Sequence, residues 1–272
     1  MRAVVRNLTA CSLAALVACA PSVQQEIAIG DEYHQQLQQE LPLVKDAAAV
    51  ASFREAVGPL RRVADRQNLT WTFDIVNSDQ VNAFAVPGGH IYVFRGLIER
   101  AATYDEFAGA VAHEIAHVDL RHSAEQMGQA SAANLGVNLA YIVLGRQPGA
   151  AEQAAVGVAG GAVFAKFSRD DENEADSVAV RSLTQAGIDP GGLPRMFEKL
   201  QQIAAREPSK VEQWFSSHPM PADRIENTRR IIQNDPQARQ LLGRGRTTSE
   251  AFSSLKQRLR ALPPAPKEMP SN

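Results

Sequence analysis

Apolar residues recur at helical spacing through the first part of the chain and again towards its end. Between Val23 and Asn68 they predict two or three helices. We expect interruptions at Pro42 and at Gly58–Pro59, because proline removes a backbone donor and clashes with the preceding turn. The same spacing predicts later helices over 168–186, 193–206 and 221–233. The chain is therefore predicted to be mainly helical.

Two short segments are instead rich in aromatic and β-branched residues. Trp71–Val76 and His90–Phe94 predict strands, and a turn signal at Pro87–Gly89 lies just before the second of them. A further helix is expected to begin near Thr103, an N-cap candidate with Glu106 three positions later. We therefore predict an α+β fold, mainly helical, with a small antiparallel sheet beside that helix.

Alanine and glycine dominate residues 123–167. Because small side chains let helices approach closely, we predict a tightly packed helical hairpin broken at 145–149. A membrane-dipping or partner-binding segment is the alternative. The apolar stretch Leu135–Leu144 is about half the length needed to span a bilayer. After Leu262 the chain is rich in proline, which predicts a disordered tail.

Residues 1–18 have the pattern of a secretory leader. Arg2 and Arg6 precede an apolar stretch that is too short to span a bilayer as a helix. The stretch ends in Leu-Val-Ala-Cys at Cys19, which resembles the bacterial lipobox, where the leader is cut before a cysteine that receives lipid. We predict a periplasmic protein with a lipid anchor on Cys19, and the outer membrane because Ala20 rather than Asp follows. The alternative is an ordinary signal peptide, with Cys19 incidental.

The composition limits the classes of protein. With 272 residues, 44% hydrophobic and 21% charged, the chain suits a soluble fold of one or two domains. A formal net charge of −2 leaves no basic excess for phosphates, which argues against nucleic-acid binding. Two cysteines supply neither a disulfide scaffold nor a four-cysteine zinc site. We divide the mature chain into an N-terminal helical segment (19–70) packed on the core, the core itself (71–235), and a C-terminal helix with its tail (236–272).

The sequence His113-Glu114-Ile115-Ala116-His117 is an HExxH motif within a predicted helix. Residues four apart on an α-helix differ by about 40° in azimuth, so both histidines leave one face and can hold one Zn²⁺. Glu114 flanks that face, where it can act as a general base without being a ligand. The alternative is that the two histidines are ordinary core residues.

A catalytic zinc needs a third protein ligand, and the acidic run Asp170–Asp176 offers candidates. Glu172 and Asp176 are four apart and share a helix face. Glu174 lies about 200° from Glu172 and is expected to face solvent. We assign Glu172 as the third ligand and Asp176 as the carboxylate that hydrogen-bonds a ligand histidine. The alternative is a solvated helix start favoured by the helix dipole.

Four motifs together resemble a known family. They are HEIAHVDLRH (113–122), SRDDENEAD (168–176), NAFAVPGGHIYVFRGL (82–97) and SSHPMPADRI (216–225). They are similar to the zinc metalloendopeptidases that include HtpX, BepA, the CAAX prenyl proteases and, most like this chain, the small LoiP-type outer-membrane lipoproteins. The resemblance covers roughly residues 25–235. It implies a zincin-type (gluzincin) catalytic domain with one Zn²⁺ per chain, and its E-x-x-x-D pattern maps onto Glu172 and Asp176.

The resemblance also assigns roles beyond the HExxH helix. It implies that His218, in the S-H-P motif, approaches the metal, where it can stabilise an oxyanion or occupy the open position as a latch. Related zinc peptidases pair a strand edge with an extended substrate, so we expect peptides to add as a strand near Asn82–Phe94. The predicted catalytic residues are therefore Glu114, Asp176 and His218.

The remaining candidates carry weaker signals. We interpret His122 as a structural residue near the site. His90 is more readily a surface histidine than one lining the cleft, and His34 is expected to face solvent. Arg224 is either the partner of an acidic group near the metal or a residue on a helix surface.

These residues predict a zinc-dependent endopeptidase that hydrolyses misfolded or envelope proteins in the periplasm, with Glu114 moving the proton. No Ser/His/Asp or Cys/His arrangement competes, because the mature cysteine is the predicted lipid site. The alternative is a membrane-tethered chaperone or assembly factor with a latent peptidase site. In either case the predicted partners include the envelope assembly machinery.

Overall fold

The structure, a computed structural model, describes residues 21–130, 166–220 and 223–265. The predicted leader, Cys19, most of the Ala/Gly-rich segment and the end of the proline-rich tail lie outside the described residues. Within them the strands are β1 (Thr72–Val76), β2 (Ala83–Val86) and β3 (His90–Phe94). The helices are α1 (Val23–Glu40), α2 (Ala47–Val63), α3 (Arg95–Arg100), α4 (Tyr104–Asp119), α5 (His122–Ala130), α6 (Arg169–Gln185), α7 (Gly192–Arg206), α8 (Glu212–Ser217), α9 (Arg224–Asn234), α10 (Pro236–Leu241) and α11 (Glu250–Ala261), with a 3₁₀ turn at Pro208–Lys210.

The prediction of a mainly helical fold with a small sheet is confirmed, but the sheet is mixed rather than antiparallel. Its strand order is β1-β3-β2. β2 and β3 form the antiparallel pair, with Val86 opposite His90, whereas β1 runs parallel to β3, with Thr72 opposite His90. The connection over 77–82 passes the end of β3 to reach the far edge of the sheet, so β1 and β2 are not neighbours.

α4 lies at the centre of the molecule and is buried along nearly its whole length, from Tyr104 to Val118. α6 and α7 pack along it, and α2 and β2 also contact it. The helix begins after Thr103, as predicted, although the N–H that the Glu106 carboxylate accepts is that of Ala102, at 2.7 Å. The HExxH motif therefore lies in the interior of the fold.

α2 continues through Pro59, so the predicted interruption at Gly58–Pro59 is wrong. A residue before proline is normally pushed out of the helical region by a clash that involves its Cβ. Gly58 has no Cβ, which removes part of that clash. The other predicted interruption is confirmed, because α1 ends at Glu40, just before Pro42.

α1 covers one face of the sheet. Its apolar side, including Leu37, packs against Phe84 and Tyr92. Closer to its start, Gly30 lies directly against the β2–β3 turn, where a Cβ would be only 1.8 Å from the carbonyl oxygen of Pro87. Among the described residues, no helix is both long and apolar enough to cross a bilayer.

A buried ion cluster ties the start of α1 to the end of α4. Glu26 is 1% exposed and pairs with Arg66 at 2.5 Å and with Arg121 at 2.7 Å. Arg121 follows α4, has a left-handed backbone (φ 63°) and donates to the carbonyl of Pro21 at 2.5 Å. Arg66 also donates to the carbonyl of Val118 at 3.1 Å. The first described residues are thereby held beside the HExxH helix.

Candidate metal centre

Two helices, α4 and α6, converge on one buried site. α4 supplies His113, Glu114 and His117 from its interior face. α6 starts with a capping box between Ser168 and Asp171, which places Glu172 in its first turn. The two helices pack together, so the acidic turn of α6 faces the histidines of α4.

Two imidazole nitrogens and one carboxylate point at a common centre. The Nε2 atoms of His113 and His117 are 3.0 Å apart. The Glu172 carboxylate lies 3.3 Å from His117 Nε2 and 3.5 Å from His113 Nε2. Donors arranged tetrahedrally around zinc at about 2.0–2.1 Å are about 3.3 Å from one another. The donor types and their separations therefore fit a zinc ion.

His218, which directly follows α8, brings a fourth donor to this centre. Its Nδ1 is 3.0 Å from Glu172 Oε1 and 3.4 Å from His113 Nε2. One donor atom from each of these residues and from His117 all lie within 4.8 Å of one another, and the four side chains are buried. Because four protein donors complete a tetrahedron, this arrangement has the form of a closed site.

Asp176 holds His113 from the far side of its ring. Its Oδ1 is 3.0 Å from His113 Nδ1, which leaves Nε2 directed at the centre. Arg224, at the start of α9, donates to both oxygens of Asp176 at 2.9 Å and also pairs with Glu172. Thr228 adds a hydrogen bond to Asp176 at 3.2 Å. Asp176 is thus itself fixed by two residues of α9.

Glu114 is buried next to the donors but belongs to none of these networks. Its Oε1 is 3.5 Å from His218 Nε2 and has no hydrogen-bond partner. Burial raises the pKa of Glu114 above its ordinary 4.5, and the nearby His218 and His113 offset this only in part. A carboxylate whose pKa moves towards neutrality is better suited to general-base catalysis.

Burial and neighbouring charges shift the pKa values of the donor residues in different directions. Burial alone would lower the pKa of His113, but the Glu172 carboxylate and the hydrogen bond to Asp176 outweigh it and raise the pKa to about 9. Burial keeps the pKa of His117 well below 6.5. The pKa of Glu172 is held well below 4.5, since His218 and His113 overcome the opposing effect of its burial. An ionised carboxylate between imidazoles suits a divalent cation.

The family model for peptidase family M48 matches residues 48–232, more than half of the chain. The chain belongs to this family. A relative from Yersinia pestis, the beta-barrel assembly-enhancing protease, is 31% identical over 214 residues, which cover 76% of this chain and 44% of the relative. Metalloprotease LoiP of Escherichia coli (strain K12) is 34% identical over 158 residues, 58% of this chain and 61% of LoiP.

A eukaryotic relative is also similar. The mitochondrial metalloendopeptidase OMA1 of Schizosaccharomyces pombe is 30% identical over 163 residues, 60% of this chain and 47% of OMA1. The chain spans about half the length of the curated relatives it matches.

Two histidines away from the metal centre, which were predicted to lie at the surface, are buried or half-buried. His90 is 2% exposed and contacts Asp31 at 3.0 Å and Thr72 at 2.9 Å, so its interpretation as a surface residue is wrong. His34 is half-buried rather than solvent-facing, because it stacks on His90 and contacts the Tyr92 hydroxyl at 2.7 Å. Neither histidine joins the four-donor cluster.

Three other side chains can be compared with their predicted positions. Arg224 is 1% exposed and pairs with acidic groups, so the surface alternative is wrong. Glu174 is exposed, as predicted, with its side chain 65% accessible. His122 is buried beside His117, consistent with its interpretation as a residue near the site.

Sequence reasoning missed the aromatic walls of the centre. Phe167 stacks on His117, with ring centroids 3.9 Å apart and planes 22° from parallel. Trp214 lies against His218 at 4.9 Å. Phe167 immediately precedes the SRDDENEAD motif, and Trp214 lies four residues before His218. Their closeness to these motifs was the one signal in the sequence, because neither aromatic residue belongs to a recognisable motif itself.

Proposed function

We propose that the chain is a zinc-dependent endopeptidase in which His113, His117 and Glu172 hold one Zn²⁺. The observation that carries this proposal is the convergence of two imidazole nitrogens and a carboxylate at 3.0–3.5 Å beside the buried Glu114. When bound, zinc supplies Lewis-acid chemistry, polarising the scissile carbonyl and activating water. The family match supports the same chemistry.

The residues of the chain supply proton transfer, orientation of a ligand histidine and stabilisation of the oxyanion. Glu114 accepts the proton of the attacking water and passes it to the leaving amine, because its Oε1 is buried near the donors and free of hydrogen bonds. Asp176 orients His113, and Arg224 with Thr228 keeps Asp176 in place. His218, through Nε2, lies close enough to Glu114 to assist at the developing oxyanion.

A peptide substrate binds as an added strand within the predicted Asn82–Phe94 region, and the pairing favours one strand for this role. β3 is paired on both sides, so it has no free edge. β2 (Ala83–Val86) pairs with β3 alone among the described strands, and it contacts the HExxH helix. A strand added at this edge gains main-chain hydrogen bonds with little demand on side chains.

The proposed substrates are envelope proteins in the periplasm, in a quality-control role. The name of the Yersinia pestis relative connects that protein with β-barrel assembly, and this chain carries a lipobox-like Cys19. In this proposal lipid on Cys19 holds the enzyme at the outer membrane, near the assembly machinery as a partner. Tethering through one cysteine requires no spanning helix.

His218 favours a second state in which the peptidase is latent. With His218 Nδ1 among the donors, the four protein ligands leave no open position for a substrate. Activity then requires His218 to move away, and in the meantime the tethered chain acts as a chaperone or assembly factor. In this proposal the two states differ in the position of His218.

The test is casein degradation by the purified protein, by Glu114→Gln and by His218→Ala. We expect Glu114→Gln to lose at least about 100-fold in rate, since proton transfer by a positioned base contributes that much or more. Equal rates for wild type and Glu114→Gln contradict the proposal that the chain is a peptidase with Glu114 as its base. Faster casein degradation by His218→Ala than by wild type supports the latch. Slower degradation indicates instead that His218 stabilises the oxyanion.

A further inference from the structure

The two ligand histidines have unlike partners behind them. His113 is held at Nδ1 by the carboxylate of Asp176, 3.0 Å away. His117 is held at Nδ1 by another imidazole, the Nδ1 of His122, at 2.9 Å. We infer that His122 is a positioning residue that fixes the tautomer and orientation of His117, and that Glu174 in turn orients His122. This inference rests on the proposed zinc site.

The backbone between the two histidines explains how they meet. α4 ends at Asp119, and Arg121 adopts φ 63°, which turns the chain before α5 starts at His122. The turn brings His122 back over the last turn of α4, where its ring centroid is 5.0 Å from that of His117 and its plane is tilted by 70°. His122 is only 3% exposed, so its ring nitrogens cannot rely on bulk water.

The hydrogen bond has only one arrangement that leaves His117 free to bind a metal. If His117 Nε2 gives its lone pair to zinc, the proton of this neutral imidazole must be on Nδ1. His117 Nδ1–H then donates, and His122 Nδ1 accepts. The proton of a neutral His122 must therefore be on its Nε2.

Glu174 is placed to favour that tautomer of His122. Its Oε2 lies 3.6 Å from His122 Nε2, and this buried nitrogen has no hydrogen-bond partner. A carboxylate at this distance stabilises the N–H dipole that points towards it. His117, His122 and Glu174 thus form a chain from the metal centre to an exposed carboxylate.

A role in packing alone would not require a nitrogen at this position. Phe167 already stacks on the face of the His117 ring at 3.9 Å and closes it from solvent. What Phe167 cannot provide is an acceptor for Nδ1–H. Loss of an outer partner of a ligand histidine typically weakens metal affinity about 10–100-fold. The inference therefore predicts an effect on affinity rather than on folding.

The experiment measures zinc affinity by competition with a chromogenic chelator, in wild type, His122→Leu and His122→Asn. Leucine fills the space without an acceptor, whereas the amide oxygen of asparagine takes about the position of Nδ1. We expect His122→Leu to bind zinc about 10–100-fold more weakly and His122→Asn to retain most of the affinity. The absorption spectrum of the cobalt(II)-substituted protein should change in His122→Leu and not in His122→Asn.

His34→Leu is the matched control, because it removes an imidazole with a ring stack and a hydrogen bond away from the centre. We expect it to bind zinc as wild type does. Wild-type affinity in His122→Leu, or an equal loss in His122→Asn, overturns the inference alone. A wild-type protein that binds no zinc overturns the proposed function and the inference with it.

Discussion

Arg224 places a guanidinium at the centre of a buried group of charges. It pairs with Asp176 and Glu172, and its cation lies 4.3 Å above the ring of Phe197. The pKa of Asp176 is lowered, since Arg224 and the bond to His113 overcome the opposing effect of burial. Arg224 therefore helps to keep Asp176 ionised in the interior.

Replacing Arg224 with methionine should destabilise the metal-free protein strongly. The substitution keeps much of the aliphatic stem but leaves Asp176 and Glu172 without their cation, and breaking a buried pair costs about 3–5 kcal/mol. Urea unfolding at neutral pH measures this loss. Arg229→Met is the control on the same helix, because Arg229 is 53% exposed and its pair with Glu198 contributes at most about 1 kcal/mol. Equal losses in the two variants would contradict a structural role for the buried pair.

The sequence predicted the positions of some single residues but not the burial of others. The face shared by Glu172 and Asp176 follows from helix spacing alone, and the structure brings both side chains to His113. The burial of Arg224 depends on how α9 packs against α6, which no local pattern records. His90 was misjudged for the same reason, since its burial comes from α1, which lies far away in sequence.

At the scale of elements, α1 packs against the β2–β3 turn of the sheet through a direct backbone contact at Gly30. A Cβ on Gly30 would lie 1.8 Å from the Pro87 oxygen and 2.5 Å from its carbonyl carbon, so helix and turn touch backbone to backbone. The turn is also specialised, with Gly88 at φ 88° and Gly89 at φ 101°, values that favour glycine. Neither partner can shift easily to admit a methyl group.

Gly30→Ala should therefore displace α1 from the sheet. In an open helix position the change from glycine to alanine gains about 1 kcal/mol, but here overpacking costs about 1–3 kcal/mol and reverses the sign. Thermal unfolding and limited proteolysis within α1 report the two consequences. Gln35→Ala creates alanine at an exposed position of the same helix and should be neutral or slightly stabilising. If Gly30→Ala proves as stable as Gln35→Ala, the close contact is not a constraint.

Element positions were mostly predictable, whereas pairing was not. The strands β1 and β3 and the helices α6, α7 and α9 follow hydrophobic spacing closely. The parallel pairing of β1 with β3 depends on a connection that passes the end of β3, and strand patterns carry no information about that path. The continuation of α2 through Pro59 is a local exception that Gly58 makes possible.

For the molecule as a whole, the metal centre joins parts that are far apart in sequence. α4 and α6 contribute potential metal donors at positions 113 and 172, and His218 adds another after α8. An ion bound here stabilises only the folded state, because the unfolded chain does not preassemble the donors. The three-donor set was predictable from motif spacing and the approach of His218 from the family resemblance, whereas the aromatic walls needed the assembled fold.

Zinc removal should lower the melting temperature, and the effect should depend on Glu172. At a free zinc concentration about 1,000 times the Kd, binding adds about 4 kcal/mol to the free energy of unfolding. Calorimetry of the wild type with zinc and after chelation should show this difference, whereas Glu172→Ala should unfold at nearly the same temperature in both conditions. Asp170→Ala, which removes an exposed carboxylate from the same helical turn, should keep the wild-type shift. Because both variants lose one acidic residue, a shift that survives in Glu172→Ala would mean that zinc binding does not depend on Glu172 and that the three-ligand assignment is wrong.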